Sequence, residues 1–81
     1  MMEVFSFELL DFTFEVEQTS RGWQINAKSC GRNHNSVSAT IFPHFLNPSL
    51  LAQGVLFALQ NLGIESVAVH SKIYNFIKLH L

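Results

Sequence analysis

Residues 47–69 read NPSLLAQGVLFALQNLGIESVAV, and how this stretch divides between helix and strand decides the architecture. Asn47-Pro48 is a helix start: an Asn side chain accepts from the free N–H groups of a first turn, and proline suits the first helical position, where no donor is needed. Leu51, Val55, Ala58, Leu59 and Leu62 then fall at helical spacing, and Gly63 supplies a left-handed stop. The spacing predicts a helix over Pro48–Leu62. Gly54 lies on the same stripe although a mid-helix glycine costs about 1 kcal/mol relative to alanine, so close approach of helix to sheet is expected there. Leu56 and Phe57 fall off the stripe, which makes the helix apolar on more than one side and predicts burial on both. Beyond Gly63, Ile64–Val69 reads as a short strand after a one-glycine link. Ile73, Ile77 and Leu81 at four-residue spacing, with Lys78 and His80 in the last turn, predict a second helix over Ile73–Leu81.

Upstream the period changes to two. Val4–Gln18 is rich in Phe and Val, and from Asp11 onward Phe12, Phe14 and Val16 alternate with Asp11, Thr13, Glu15 and Glu17, the pattern of a strand with one wet face. Thr19-Ser20-Arg21-Gly22 has turn composition, and Trp23–Lys28 reads as the antiparallel partner with Trp23, Ile25 and Ala27 on one face. Cys30–Asn35 is polar, contains Gly31 and reads as a loop. Ser36–Phe42, with Val37, Ala39 and Ile41 alternating with Ser and Thr, gives a third strand. The expected order is β-β-β-α-β-α, an α/β (or α+β) domain. Three antiparallel strands and a right-handed helical crossover to a parallel fourth strand form a mixed four-stranded sheet, the arrangement of the ribonuclease-H-like motif.

With 81 residues the chain makes one domain, 1–81, with a single core. Apolar residues make up 48% and charged ones 14%, against roughly 25% charged in ordinary soluble domains. A surface so poor in charge implies a partner. The 5 basic and 6 acidic side chains leave a net charge of -1, which argues against a free-standing nucleic-acid binder, whose affinity rests on phosphate neutralisation. Five of those acids, Glu3, Glu8, Asp11, Glu15 and Glu17, precede Thr19, whereas every base and Glu65 follow it, so the two parts suit different neighbours. The single Cys30 excludes an internal disulfide and hence a small stapled secreted scaffold. Met1–Leu10 holds two acids and no base, which fits neither a secretory signal nor an Arg-rich transit peptide. Asn33–Ile64 carries no Asp, Glu, Lys or Arg, but its Pro, Asn and Gln interruptions leave Leu50–Leu59 too short for a membrane span.

A two-metal nuclease on the expected topology needs clustered carboxylates. Asp11 stands on the first strand, yet Pro48–Leu62 contains no acid and His70 stands where a metal-binding acid is wanted, so no enzyme is expected. Cys30 with His34, or that pair with His44, falls short of the four ligands of a structural zinc site, and His70 and His80 lie on different elements. No Gly-rich phosphate loop or nucleophile elbow occurs. Neither cofactor, metal nor small-molecule substrate is expected. There remains a sparse basic set, Arg21, Lys28, Arg32, Lys72 and Lys78, of which Lys28, Arg32 and Lys72 each follow a strand in the expected order and would gather at one sheet end.

Gly63-Ile64-Glu65-Ser66-Val67-Ala68-Val69-His70-Ser71-Lys72 resembles the small-subunit ribosomal protein eleven family, in which a helix ends in Gly, followed by an apolar residue, Ser-Val, an alternating Val and a Lys. Thr13-Phe14-Glu15-Val16 through Gly22 to Ser29-Cys30-Gly31 is similar to that family's first hairpin, and the helix with Ala52 and Ala58 also fits, so the likeness spans residues 9–78. It implies a ribonuclease-H-like structural component of the small ribosomal subunit, part of the translation machinery, with Lys72 and the Lys28–Arg32 loop contacting ribosomal RNA. The family's Gly-Pro-Gly turn after the Lys is replaced by Ile73-Tyr74-Asn75, and its basic tail is missing. The large-subunit ribosomal protein eighteen family shares the fold and a Tyr-x-aromatic pattern like Tyr74-Asn75-Phe76. A reduced, Phe-rich version suits a mitochondrial ribosome, where neighbouring ribosomal proteins replace RNA as the binding surface. The alternative is a small non-catalytic interaction subunit of a non-RNA protein assembly, membrane-associated or not, with Leu56, Phe57 and the acidic strand as its interface.

Overall fold

The computed structural model describes residues 4–29 and 36–81. Four strands come first: β1 (Val4–Leu9), β2 (Phe12–Thr19), β3 (Gly22–Ser29) and β4 (Ser36–Ile41). A 3-10 turn, Pro43–Phe45, leads to α1 (Leu51–Asn61) and α2 (Val67–Lys78). The sheet order is β1-β2-β3-β4 and every neighbouring pair is antiparallel. The result is a small α+β domain.

The register explains why the sheet has two unlike faces. Phe5, Phe7 and Leu9 oppose Val16, Phe14 and Phe12; Val16 and Phe14 oppose Ile25 and Ala27; Ile25 and Trp23 oppose Ala39 and Ile41. Because side chains alternate, these all fall on one face, on which both helices pack. Phe14, Val16, Ile25 and Ala27 are fully buried there, against Leu51, Val55, Ala58 and Leu59 from α1 and Val69, Ile73 and Ile77 from α2. Removing such a side chain from water contributes about 1.5–3 kcal/mol, and this core is what holds so short a chain together. The opposite face carries Ser6, Glu8, Thr13, Glu15, Glu17, Gln24, Asn26, Lys28, Ser38 and Thr40.

Val4–Gln18 is two strands. Leu10 and Asp11 form the two-residue turn between them, both with positive φ (55° and 62°), the backbone of a tight hairpin that usually recruits Asn-Gly. Nothing in Leu-Asp announces such a turn. The second hairpin follows the expected sequence, Thr19 opposing Gly22 across Ser20-Arg21. Gly22 has φ 126°, and a Cβ there would sit 2.1 Å from the Ile41 carbonyl oxygen, so β4 crosses too closely for any side chain.

Helix α1 stops by the expected device but starts at Leu51, three residues later than Pro48, with Leu50 at its cap position and no side-chain cap there; Asn47 organises the turn that leads into it. Asn47 Oδ1 accepts from the Ser49 and Leu50 amides (3.0 and 3.1 Å), and the Asn47 carbonyl accepts from Leu51 N (3.0 Å). At the other end Gly63 (φ 74°) lets Ile64 N reach Leu59 O (2.9 Å) and Gly63 N reach Gln60 O (3.0 Å), the paired bonds of a Schellman stop. A Cβ on Gly54 would lie 2.6 Å from Phe45 Cβ and 3.2 Å from Ile41 Cγ2, so the close approach is made first by the 3-10 turn and then by β4.

The fourth, parallel strand is the main correction. Ile64–Val69 is a short loop and the opening of α2: Ser66 caps the helix, its Oγ accepting from Val69 N at 3.3 Å. The expected Ile73–Leu81 helix therefore begins earlier and ends at Lys78. Val69, Ile73 and Ile77, at four-residue spacing, form its buried stripe, whereas the β-branched Val67 and Val69 mimic a strand only in composition. The observed order is β-β-β-β-α-α with no parallel pair, in place of the mixed sheet and β-β-β-α-β-α order of the ribonuclease-H-like motif. The physical reason is that β1 to β4 already form a complete antiparallel meander whose one apolar face needs a second helix to cover it.

Candidate functional site

The basic residues expected to gather do not share a surface. Lys28 stands on the polar sheet face, where its Nζ lies 2.8 Å from Glu15 Oε1. The hydrogen bond and the charge of Glu15 raise the Lys28 pKa above its ordinary value of 10.5. Lys72 stands on α2, on the helical side of the sheet, with its ammonium 5.6 Å from the centre of the Phe7 ring. Arg32, with Cys30, Gly31 and His34, lies outside the described residues. Arg21 occupies the exposed β2–β3 turn, at the end of the sheet opposite Lys28. Lys78 lies 5.7 Å from the Tyr74 ring.

The described histidines are joined to the frame. His70 donates through Nε2 to the Ala52 carbonyl (3.0 Å), tying α2 to α1, and His80 donates through Nδ1 to the Phe76 carbonyl (2.9 Å) while its ring meets Trp23 edge-on. His44 packs on the Phe45 ring. Among the described residues no group of three or more His, Cys, Asp or Glu is placed to hold a metal ion. No helix of the described residues is long and apolar enough to cross a membrane.

A concave feature lies on the outer side of the helical layer, where α1 ends and α2 begins. It is an open groove of about 440 Å³ lined by Leu56, Leu59, Ile64 and Val67, with Gln60, Glu65, Ser66 and His70 beside them. Its construction follows from the two helix ends. The Schellman turn at Gly63 folds Ile64 back onto Leu59, and the Ser66 cap then launches α2, leaving Val67 at the first helical position with its side chain 83% exposed. Leu56 and Phe57 are 45% and 48% exposed. Within this chain, then, α1 is buried on one side only, and the second apolar side expected to be buried faces solvent. The surplus has two parts: Phe57 meets Phe45 of the 3-10 turn edge-on at 5.9 Å, and Leu56 lines the groove with Val67. No residue of α1 is charged, and the only ionised side chains of α2 are Lys72 and Lys78.

Val67 is the member of this surface that sequence reading missed, because it was assigned to a strand. The signal that could have found it was Ser66, three residues before Val69, as the cap of a helix carrying Val69, Ile73 and Ile77. The lining is largely apolar, with the exposed Glu65 side chain, the Ser66 hydroxyl and one half-buried imidazole beside it. Compared with protein-family models, curated proteins and solved structures, the chain matches none.

Proposed function

We propose that the chain is a non-catalytic interaction subunit of a larger protein assembly, docking through the outer side of its helical layer. The observation that carries the reading is the uncovered apolar groove between α1 and α2, with Leu56, Phe57 and Val67 exposed around it. Large apolar side chains clustered on a surface with little charge cost solubility unless a partner removes them from water. An 81-residue domain has little stability to spare, so the binding energy of such a partner also supports the fold. The ribosome suggested by the family resemblance is a narrower form of the same proposal. The segment that carries the resemblance, residues 63–72, holds a helix stop and a helix start, and Lys28 and Lys72 stand on opposite sides of the sheet, so protein contacts take the larger share in this reading.

Sedimentation of the full chain in a native extract tests the proposal. Wild-type chain should travel in a large particle, and the double substitution L56E with F57E should release it to the top of the gradient while leaving its circular dichroism unchanged. RNase treatment separates the forms, since only a ribonucleoprotein loses the subunit when RNA is digested. Wild-type chain running no larger than a dimer, or the variant remaining in the particle, would overturn the reading.

A further inference from the structure

We propose that the free edge of β4 pairs with the β4 edge of a second copy, joining two four-stranded sheets into one continuous antiparallel sheet. The sheet order leaves β1 and β4 as its two edges. Edges are templates for further pairing unless charge, proline or a bulge blocks them. β1 carries Glu8 and lies beside Glu15 and Glu17 of β2, so its rim is acidic. β4 reads Ser36-Val37-Ser38-Ala39-Thr40-Ile41 and has neither charge nor proline. Self-pairing at β1 would bring two acidic rims together, whereas at β4 it joins neutral ones.

The hydrogen-bond pattern specifies which groups are free. Thr19 and Gly22 close a two-residue hairpin, which makes them a hydrogen-bonded pair, and bonding direction alternates along each strand from that point. Trp23, Ile25 and Ala27 therefore bond towards β4, opposite Ile41, Ala39 and Val37. The N–H and C=O groups of Ser36, Ser38 and Thr40 point outward from the edge, and Ser36 and Ser38 are exposed. A strand is antiparallel to its own copy about a two-fold axis, so one such edge complements itself. The axis must pass through a residue if apolar faces are to stay on one side. Placed at Ala39, it sets Ser38 opposite the second copy's Thr40 as a hydrogen-bonded pair, with Ala39 facing its counterpart across the narrow pair that a methyl group fits. It also sets Val37, left 44% exposed at the end of the strand, opposite the second copy's Ile41. That register extends the apolar face and leaves the polar face a row of hydroxyls. This edge is distinct from the α1–α2 groove, and its pairing does not require the function proposed above.

Ser38 is the position to perturb, because its N–H points away from β3 at the middle of the edge. Purified full-length chain should sediment as a dimer of twice the 9.2 kDa chain mass at about 10–100 µM. S38P removes the outward donor, and S38K places a charge on the edge. Each substitution acts twice in a two-fold pair, so both should raise the dimer dissociation constant at least about tenfold, with far-ultraviolet circular dichroism retained. S6P on the β1 edge and L56E in the groove should leave the dimer intact. A wild-type chain monomeric at about 1 mM overturns the proposal, and so does a folded S38K that remains fully dimeric, or dissociation by S6P alone. A monomer that takes up an extended peptide of another protein along β4 likewise overturns self-pairing.

Discussion

Replacing Gly54 by alanine sets two effects of known size against each other. In an exposed helix the change is favourable by about 1 kcal/mol, because alanine loses less backbone freedom on folding. Here the added Cβ would lie 2.6 Å from Phe45 Cβ, 3.0 Å from Phe45 Cγ and 3.2 Å from Ile41 Cγ2, whereas carbon atoms at rest sit about 3.5–4.0 Å apart. Phe45 Cβ is fixed to the backbone of the 3-10 turn and cannot rotate aside, so Pro43–Phe45 must move away from α1 by about 1 Å. Overpacking of this kind costs about 1–3 kcal/mol, which outweighs the helical gain. Gly54→Ala should therefore lower stability by about 1 kcal/mol net, or about 4–8 °C in Tm for a domain of this size. Urea unfolding followed by Trp23 fluorescence reads the change, since that ring is buried between the sheet and Phe76. Asn61→Ala, in the exposed last turn of the same helix, reports the helical gain without the clash. If Gly54→Ala proves as stabilising as that control, the close approach of the 3-10 turn to α1 is wrong.

The β1–β2 turn gives an opposite expectation. Leu10 and Asp11 both hold positive φ, which costs an L-residue such as leucine about 1–2 kcal/mol, so Leu10→Asn with Asp11→Gly should raise the unfolding free energy by about 1 kcal/mol. An unchanged or lower denaturation midpoint would refute that turn. The Lys28–Glu15 pair is exposed, and its sign follows from the raised Lys28 pKa. A cation whose folded-state pKa is raised contributes stability in full below its unfolded value of 10.5, and loses that contribution as pH rises through the folded value. Lys28→Met should be slightly less stable than wild type at pH 8, and the difference should shrink by pH 11.5. A gap that widens on that alkaline step would contradict the pairing.

How far this fold was legible depended on whether a signal was local. The Phe12–Val16 and Trp23–Ala27 alternations, the Thr19–Gly22 turn and the Gly63 stop each act within a few residues, and the structure uses all of them, while Asn47 orders the turn before α1 rather than capping the helix itself. The Leu10-Asp11 turn was not legible, because tertiary pairing of β1 with β2 imposes a backbone that neither residue favours. Ile64–Val69 was read with the wrong period. A short β-branched run fits strand and helix alike, and what separates them here is the burial of Val69 together with Ile73 and Ile77, which needs the sheet to be in place. The candidate surface was legible in part: Leu56 and Phe57 stood out by falling off the helical stripe, but Val67 joined them only once α2 began at Ser66.

By itself the sequence determined an α+β chain that opens with antiparallel strands and carries a helix between Asn47 and Gly63, with an apolar surplus and hardly any charge. Those properties follow from composition and short-range periodicity, which are carried by neighbouring residues whatever the rest of the chain does. Only the tertiary structure decided that the sheet is wholly antiparallel, that Lys28 and Lys72 point away from each other, and that the uncharged β4 is an edge strand of the described sheet. Each of these depends on which strand lies beside which and on the side from which the helices cover the sheet. Contacts between residues far apart in the chain set that arrangement, and no local pattern encodes it.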